Sequence, residues 1–417
     1  MELVVEGRAF LDRGLTPCCI GIEKGVIRAV RRTMRGDEHH DYGNMIILPG
    51  AVDPHVHFRD PGLTHKEDFQ TGSLAAAFGG VTCVLDMPNT LPPITTKGRL
   101  KEKKEAIAGR SWVDYGLFAA ATLHTEFSEL VEEVIGFKLY MASATGDLLV
   151  DERDLPSALA KALATGKVLS VHAEDGSRFR GIEEADIIDH HWNRPPESEV
   201  AAITRLASLT SSPRVNICHV SSAQALGALA HLPFLTEATP HHMLLTTGRG
   251  IDAFRKVNPP IRTRGDRDAI FEAFSKGEVD MLASDHAPHT KAEKEDDFES
   301  APPGVPGVET AVPLLLPMVK SGAMGLSGMV SAMAERASGI FGLNKGRIQV
   351  GKDADLMVVD TSKVTRVRGE RLHSKCGWTI FEDMEAIFPH ATFVRGERVI
   401  EDGAIVGERV GRDVVRG

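Results

Sequence analysis

The residues best suited to chemistry begin at Asp53-Pro54-His55-Val56-His57-Phe58-Arg59-Asp60-Pro61-Gly62. On a strand, alternate side chains share a face, so His55, His57 and Arg59 project together. Two imidazoles on one face can hold a borderline cation such as Zn2+. A guanidinium beside them can grip a carboxylate through paired hydrogen bonds. Further donors close other apolar runs: His172 in KVLSVHAED, His219 in VNICHVSS and Asp285 in VDMLASDHAPH. Lys138 interrupts IGFKLYM, where an unpaired ammonium is costly. Singly, each has a plain structural reading, as a satisfied strand-end histidine or a capping aspartate. Together they form a set able to surround a metal.

The elements that must position this set recur along the chain. β-rich runs occupy 50–58, 81–87, 113–121, 135–141, 167–173, 214–220, 233–239 and 279–285, and most are separated by helix-length stretches such as 96–109 and 152–166. Such alternation predicts βα units and a parallel sheet. Eight strands in this length favour a closed (β/α)8 barrel, whose sites lie at the C-terminal ends of the strands, where these donors fall. Both ends of the chain, by contrast, show short Gly-punctuated strands of period two. We expect residues 1–49 and 345–417 to form one small β-sandwich domain, and residues 50–344 the barrel.

Composition narrows the function classes. The 417 residues are 42% hydrophobic and 25% charged, as in ordinary globular proteins. With 48 Lys and Arg against 58 Asp and Glu, the net charge of −10 argues against nucleic acid or an anionic membrane as partner. The apolar run around 310–319 is too short to span a bilayer, which takes roughly 20 residues. The first residues, with Glu2 and Glu6 and no basic start, do not resemble a secretion signal. Five cysteines without a CxxC pair suit reduced thiols in the cytoplasm. Seventeen histidines against three tryptophans and three tyrosines suit a chain that uses imidazole for chemistry.

HxH after the first strand, a lysine in the fourth, single histidines after the fifth and sixth and an aspartate after the eighth resemble the amidohydrolase superfamily. Within it, DPHVHFRDPG, Met87-Pro88-Asn89-Thr90, HAED, VNPPIR and SDHAPH resemble the dihydroorotases across nearly the whole chain. The resemblance implies a distorted α/β barrel with a small β-sandwich. It also implies reversible cyclisation of N-carbamoyl-L-aspartate to (S)-dihydroorotate, the third step of pyrimidine synthesis, on two zinc ions. His55, His57 and Asp285 would hold one ion, His172 and His219 the other. Lys138, carboxylated on its side-chain nitrogen, would bridge them, with Asp147 as the alternative bridge. Asp285 would also be the general base. Arg59, Asn89 and His289 would hold the substrate carboxylate, with His57, Asn258, Pro303 and Gly304 completing the substrate site. The substrate is then a small molecule, and a homo-oligomer is compatible with the family. Two alternatives stand: an allantoinase or hydantoinase acting on related cyclic ureides, and a non-catalytic scaffold. The charged segment 290–302 reads as a solvated loop, or else as a flap that closes over substrate. The histidines at 39–40, 65, 124, 190–191 and 241–242 read as surface or supporting residues.

Overall fold

In the computed structural model, which describes residues 1–12, 14–142, 147–248 and 252–415, four strands come first. They are β1 (Leu3–Leu11), β2 (Gly14–Glu23), β3 (Val26–Arg31) and β4 (Glu38–Pro49). The turn between β2 and β3 is Lys24-Gly25, with φ of 51° and 75°, the left-handed pair that a tight hairpin between twisted strands requires.

Eight strands then follow: β5 (Ala51–Val56), β6 (Val81–Asp86), β7 (Asp114–Ala120), β8 (Gly136–Tyr140), β9 (Val168–His172), β10 (Val215–Ile217), β11 (Leu235–Ala238) and β12 (Met281–Leu282). Each lies within one of the eight runs expected from the sequence. They pair in chain order, every pair parallel. The ring is drawn together where His57 N–H donates to His286 O at 2.8 Å, beside a parallel bridge from Val56 to His286. All but the first residue of β11 are buried, which is why these strands read as unbroken apolar runs. Helices cross between them, started by side-chain caps that accept first-turn N–H groups, such as Asp68 for Phe69–Phe78, Ser222 for Ala223–Leu229 and Thr263 for Arg264–Lys276. The fold is an α/β barrel.

The chain ends with β13 (Leu356–Val359), β14 (Thr365–Arg366), β15 (Glu385–Ala386), β16 (Ala391–Val394), β17 (Glu397–Glu401) and β18 (Ala404–Ile405). One eight-stranded sheet of order β18-β17-β16-β13-β4-β1-β2-β3 joins strands from both ends of the chain. Its own apolar interior includes Val5, Ile20, Ile47, Leu356 and Phe393. Lys345 stands at the junction with the barrel, its Nζ 2.7 Å from Asp114 on β7, 3.2 Å from Asp353, and paired with Asp355. Part of the C-terminal segment leaves this sheet. β14 and β15 form a separate ribbon, and Val367, Trp378 and Phe381 pack on Val257, Phe298 and Val305 of the barrel. Trp378 Nε1 donates to His289 O at 2.7 Å. Among the described residues no helix is long and apolar enough to cross a membrane.

Candidate metal centre and active site

One pocket of about 240 Å3 opens at the C-terminal ends of the barrel strands, lined by His55, His57, Lys138, His172, His219 and Asp285. Arg59, Asn89, Asn258, His289, Pro303 and Gly304 line the same pocket. Residues from widely separated parts of the chain thus meet because the donors lie on, end or closely follow neighbouring barrel strands, His55 within β5, Lys138 within β8 and His172 at the end of β9. Three of them sit in the left-handed region, Arg59 at φ 60°, His219 at 37° and Asp285 at 45°. That conformation is strained for residues with a Cβ and clusters at functional sites. The buried Asp53 carboxylate fastens the two chain segments that close the ring, accepting from His55 N and Ser284 N, both at 3.1 Å.

The donor atoms converge. Asp285 Oδ1 lies 3.2 Å from His57 Nε2 and 3.4 Å from His55 Nε2. His172 Nδ1 lies 3.2 Å from His219 Nε2, and Lys138 Nζ 3.4 Å from His55 Nε2. Three of the rings are anchored on their outer nitrogen. His55 Nδ1 donates to Glu237 Oε2 at 2.9 Å, His57 Nδ1 to Asn89 Oδ1 at 2.6 Å, and His172 Nε2 to Glu174 Oε2 at 2.8 Å. A ring that donates outward turns a lone pair inward, as metal-ligating histidines do. Burial lowers His57 to about 3 and pushes His172 and His219 down as well, leaving neutral imidazoles, the ligating form. Burial and Lys138 oppose protonation of His55 but are outweighed by Asp285, Cys218 and Glu237, which push it up to about 10. Burial would raise the Asp285 carboxyl, yet the surrounding His55, His57 and His219 hold it well below the ordinary carboxylate range.

Lys138 tests whether a cation pair fits. Its side chain is 1% exposed, and its nearest polar neighbours are His55 and Cys218, whose Sγ is 3.0 Å away. Among the described residues it makes no ion pair. A buried ammonium among imidazoles is costly, whereas a carbamate on the same nitrogen would be an anion between cations. His219 Nδ1 is also buried without a hydrogen-bond partner among the described residues. The donor set of imidazoles, one carboxylate and a modifiable lysine suits divalent metal. Asp147, the alternative bridge, is exposed and lies outside the pocket lining.

The opposite rim gathers the Arg59 and Lys66 side chains around His289. Arg59 Nη2 approaches His289 Nε2 at 3.2 Å, while His289 Nε2 lies 3.1 Å from Pro303 O. Lys66 Nζ donates to His289 Nδ1 at 3.0 Å, which leaves the other ring nitrogen as the donor to Pro303. Asn258 is held from both sides. His190 Nε2 donates to Val257 O at 2.9 Å, and His242 Nε2 to Pro259 O at 3.1 Å. At Gly304, φ is 139° and a Cβ would fall 2.4 Å from Ala287 O, so only glycine brings the backbone to the pocket here. The 290–302 segment is tied down. Lys294 Nζ donates to Pro302 O at 2.9 Å and Lys256 O at 3.2 Å, and Lys256 Nζ to Phe298 O at 2.8 Å.

Several supporting residues escaped the sequence reading. Glu237 had one signal, a carboxylate inside an apolar run, and Glu174 lies in the HAED motif. Lys66 had none. Of the histidines read as surface or supporting residues, His65 and His124 are exposed, whereas His190, His191, His241 and His242 are buried.

The amidohydrolase family model matches residues 46–399. The chain belongs to the amidohydrolase family. Its relatives include proteins named dihydroorotase from Halobacterium salinarum, 39% identical over 91% of both chains, and from Methanosarcina acetivorans, 37% identical over 95% of this chain and 91% of that one. The Pyrococcus furiosus dihydroorotase is 36% identical over 100% of this chain and 97% of its own. Among solved structures, this amidohydrolase is similar to the L-hydantoinase (dihydropyrimidinase) from Arthrobacter aurescens, with TM-score 0.91 and 28% identity covering 99% of both chains. The dihydropyrimidinase from Brevibacillus agri gives TM-score 0.90 at 26% identity, covering 100% of this chain and 98% of that one.

Proposed function

We propose that this amidohydrolase is a dihydroorotase that interconverts N-carbamoyl-L-aspartate and (S)-dihydroorotate, with two zinc ions and a carboxylated Lys138. The observation that carries the reading is the pairing of a buried donor cluster with a cationic rim, Arg59 beside Asn89 and His289, in one pocket. A cyclic amide bearing a free carboxylate needs both. His55, His57 and Asp285 would hold one ion, His172 and His219 the other, with Lys138 between them. Such a pair, when bound, polarises the amide carbonyl and brings the pKa of water towards ~7.

The chain's own groups do the rest. Arg59 and Asn89 bind the substrate carboxylate and so set which carbonyl faces the donor cluster. Orienting a substrate in this way removes much of the entropic barrier. Asp285 takes the proton of the attacking water as the new C–O bond forms. It returns that proton to the ring nitrogen as the C–N bond breaks, giving the open carbamoyl aspartate; ring closure runs in reverse. Asn258 and the backbone at Pro303 and Gly304 receive the ring. Five free, buried cysteines suit a cytoplasmic setting.

The test is an assay of purified, zinc-loaded protein with dihydroorotate, carbamoyl aspartate, allantoin, hydantoin and dihydrouracil side by side. Turnover of the first two well above the others is expected. Faster turnover of hydantoin or dihydrouracil would instead favour the activity named for the structural relatives, and absence of turnover would reject an enzyme of this class.

A further inference from the structure

Tyr140 has no part in the chemistry described so far, yet it lines the same pocket. It is the last residue of β8, two positions beyond Lys138. The two side chains therefore share the inward face, with Tyr140 roughly 6.6 Å nearer the mouth. It is 4% exposed, and among the described residues its hydroxyl has no hydrogen-bond partner. Buried tyrosine hydroxyls ordinarily find partners. Tyr42, for comparison, donates to Glu401 at 3.1 Å. Where packing alone is needed this chain has phenylalanine to hand, using it 17 times against three tyrosines.

A second buried donor in the pocket is in the same position: Arg59 Nε also lacks a partner among the described residues. Tyr140 and Arg59 line the same pocket. One acceptor with several lone pairs would satisfy both donors, and a carboxylate, with about four acceptor sites, is such a group. We propose that the Tyr140 hydroxyl is a further substrate-binding group, donating to the carboxylate that Arg59 holds. The inference rests on the dihydroorotase reading and adds a specificity determinant to it. The phenol and the guanidinium together select ring substrates that carry a carboxylate.

Tyr140→Phe removes only the hydroxyl. In zinc-loaded protein, the variant should keep wild-type metal content and melting temperature. Its KM for dihydroorotate should rise at least tenfold with kcat within about threefold. Its calorimetric Kd for orotate, a planar ring with the same carboxylate, should weaken by a similar factor, and that for uracil, which has none, should not change. Unchanged KM and unchanged orotate affinity would overturn the proposal. A fall in kcat with KM and orotate affinity intact would overturn it too, by placing the hydroxyl at the reacting carbonyl. Wild-type protein that binds orotate without turning over dihydroorotate would reject the functional reading, and the two orotate affinities would still decide the role of Tyr140.

Discussion

Glu237 offers a sharp test of how the site is held. Its carboxylate is wholly buried on β11, with Oε2 accepting from His55 Nδ1 at 2.9 Å and Oε1 from Asn216 Nδ2 at 2.5 Å. Losing an outer partner of a ligating histidine typically weakens metal binding 10- to 100-fold, about 1.4–2.7 kcal/mol. The two obvious variants should fall at opposite ends of that range. In Glu237→Gln the amide oxygen can still accept from His55, with its NH2 turned to Asn216. Asn216 can answer by rotating its amide so that Oδ1 accepts, at the cost of the bond its Nδ2 makes to Ser170 Oγ at 3.1 Å. The expected loss is about tenfold. Glu237→Ala strands the His55 N–H and one of the two Asn216 N–H groups, the other keeping Ser170 Oγ, and frees the His55 ring to rotate, so about 100-fold or more is expected. Metal-free protein would be titrated with zinc against a chromophoric chelator, with melting curves to confirm folding. A folded alanine variant that binds zinc as tightly as the wild type would refute the claim that Glu237 sets the His55 lone pair.

Lys138→Ala should bind less zinc per chain and lose turnover, with partial recovery when a short carboxylic acid is added; full activity without the acid would remove the lysine bridge. Arg59→Met should lower kcat/KM for dihydroorotate by about 100-fold or more, the value of two charge-assisted hydrogen bonds, at unchanged metal content; an unaltered KM and kcat would reject its role in carboxylate binding. Burial, then the Arg262 guanidinium, lowers His191 to about 4 from an ordinary 6.5. The folded chain therefore binds fewer protons there than the unfolded chain between those values, and stability falls as pH drops through that window. Solvent screening holds the contribution below the ~3 kcal/mol that such a shift carries in full. Urea unfolding of metal-free His191→Gln between pH 7 and 4.5 should show a flatter acid loss than the wild type, and parallel curves would contradict the assignment.

The barrel was legible because strands buried on both faces leave uninterrupted apolar runs, and polar residues at their ends stand out against them. His172, His219 and Asp285 could be picked for that reason, and His55 with His57 by their period of two. The supporting contacts were not legible, because no local pattern encodes them. His55 and Glu237 are 182 residues apart, and Lys66 and His289 are 223 apart. Trp378 reaches His289 O from the C-terminal tail, a contact that depends on how a ribbon packs against the barrel. Which of the paired histidines support the site and which lie at the surface was not legible for a related reason. His190 and His242 are buried because they clamp the backbone around Asn258, and a demand for backbone donors leaves no trace in hydropathy.

The proposed activity depends most on two cations sharing one lysine-bridged site. Crystals of zinc-loaded protein, with diffraction measured on both sides of the zinc absorption edge, test this most directly. Two anomalous peaks are expected, one among His55, His57 and Asp285 and the other between His172 and His219, with density extending from Lys138 Nζ between them. A single peak, or none there beside an unmodified lysine, would contradict it.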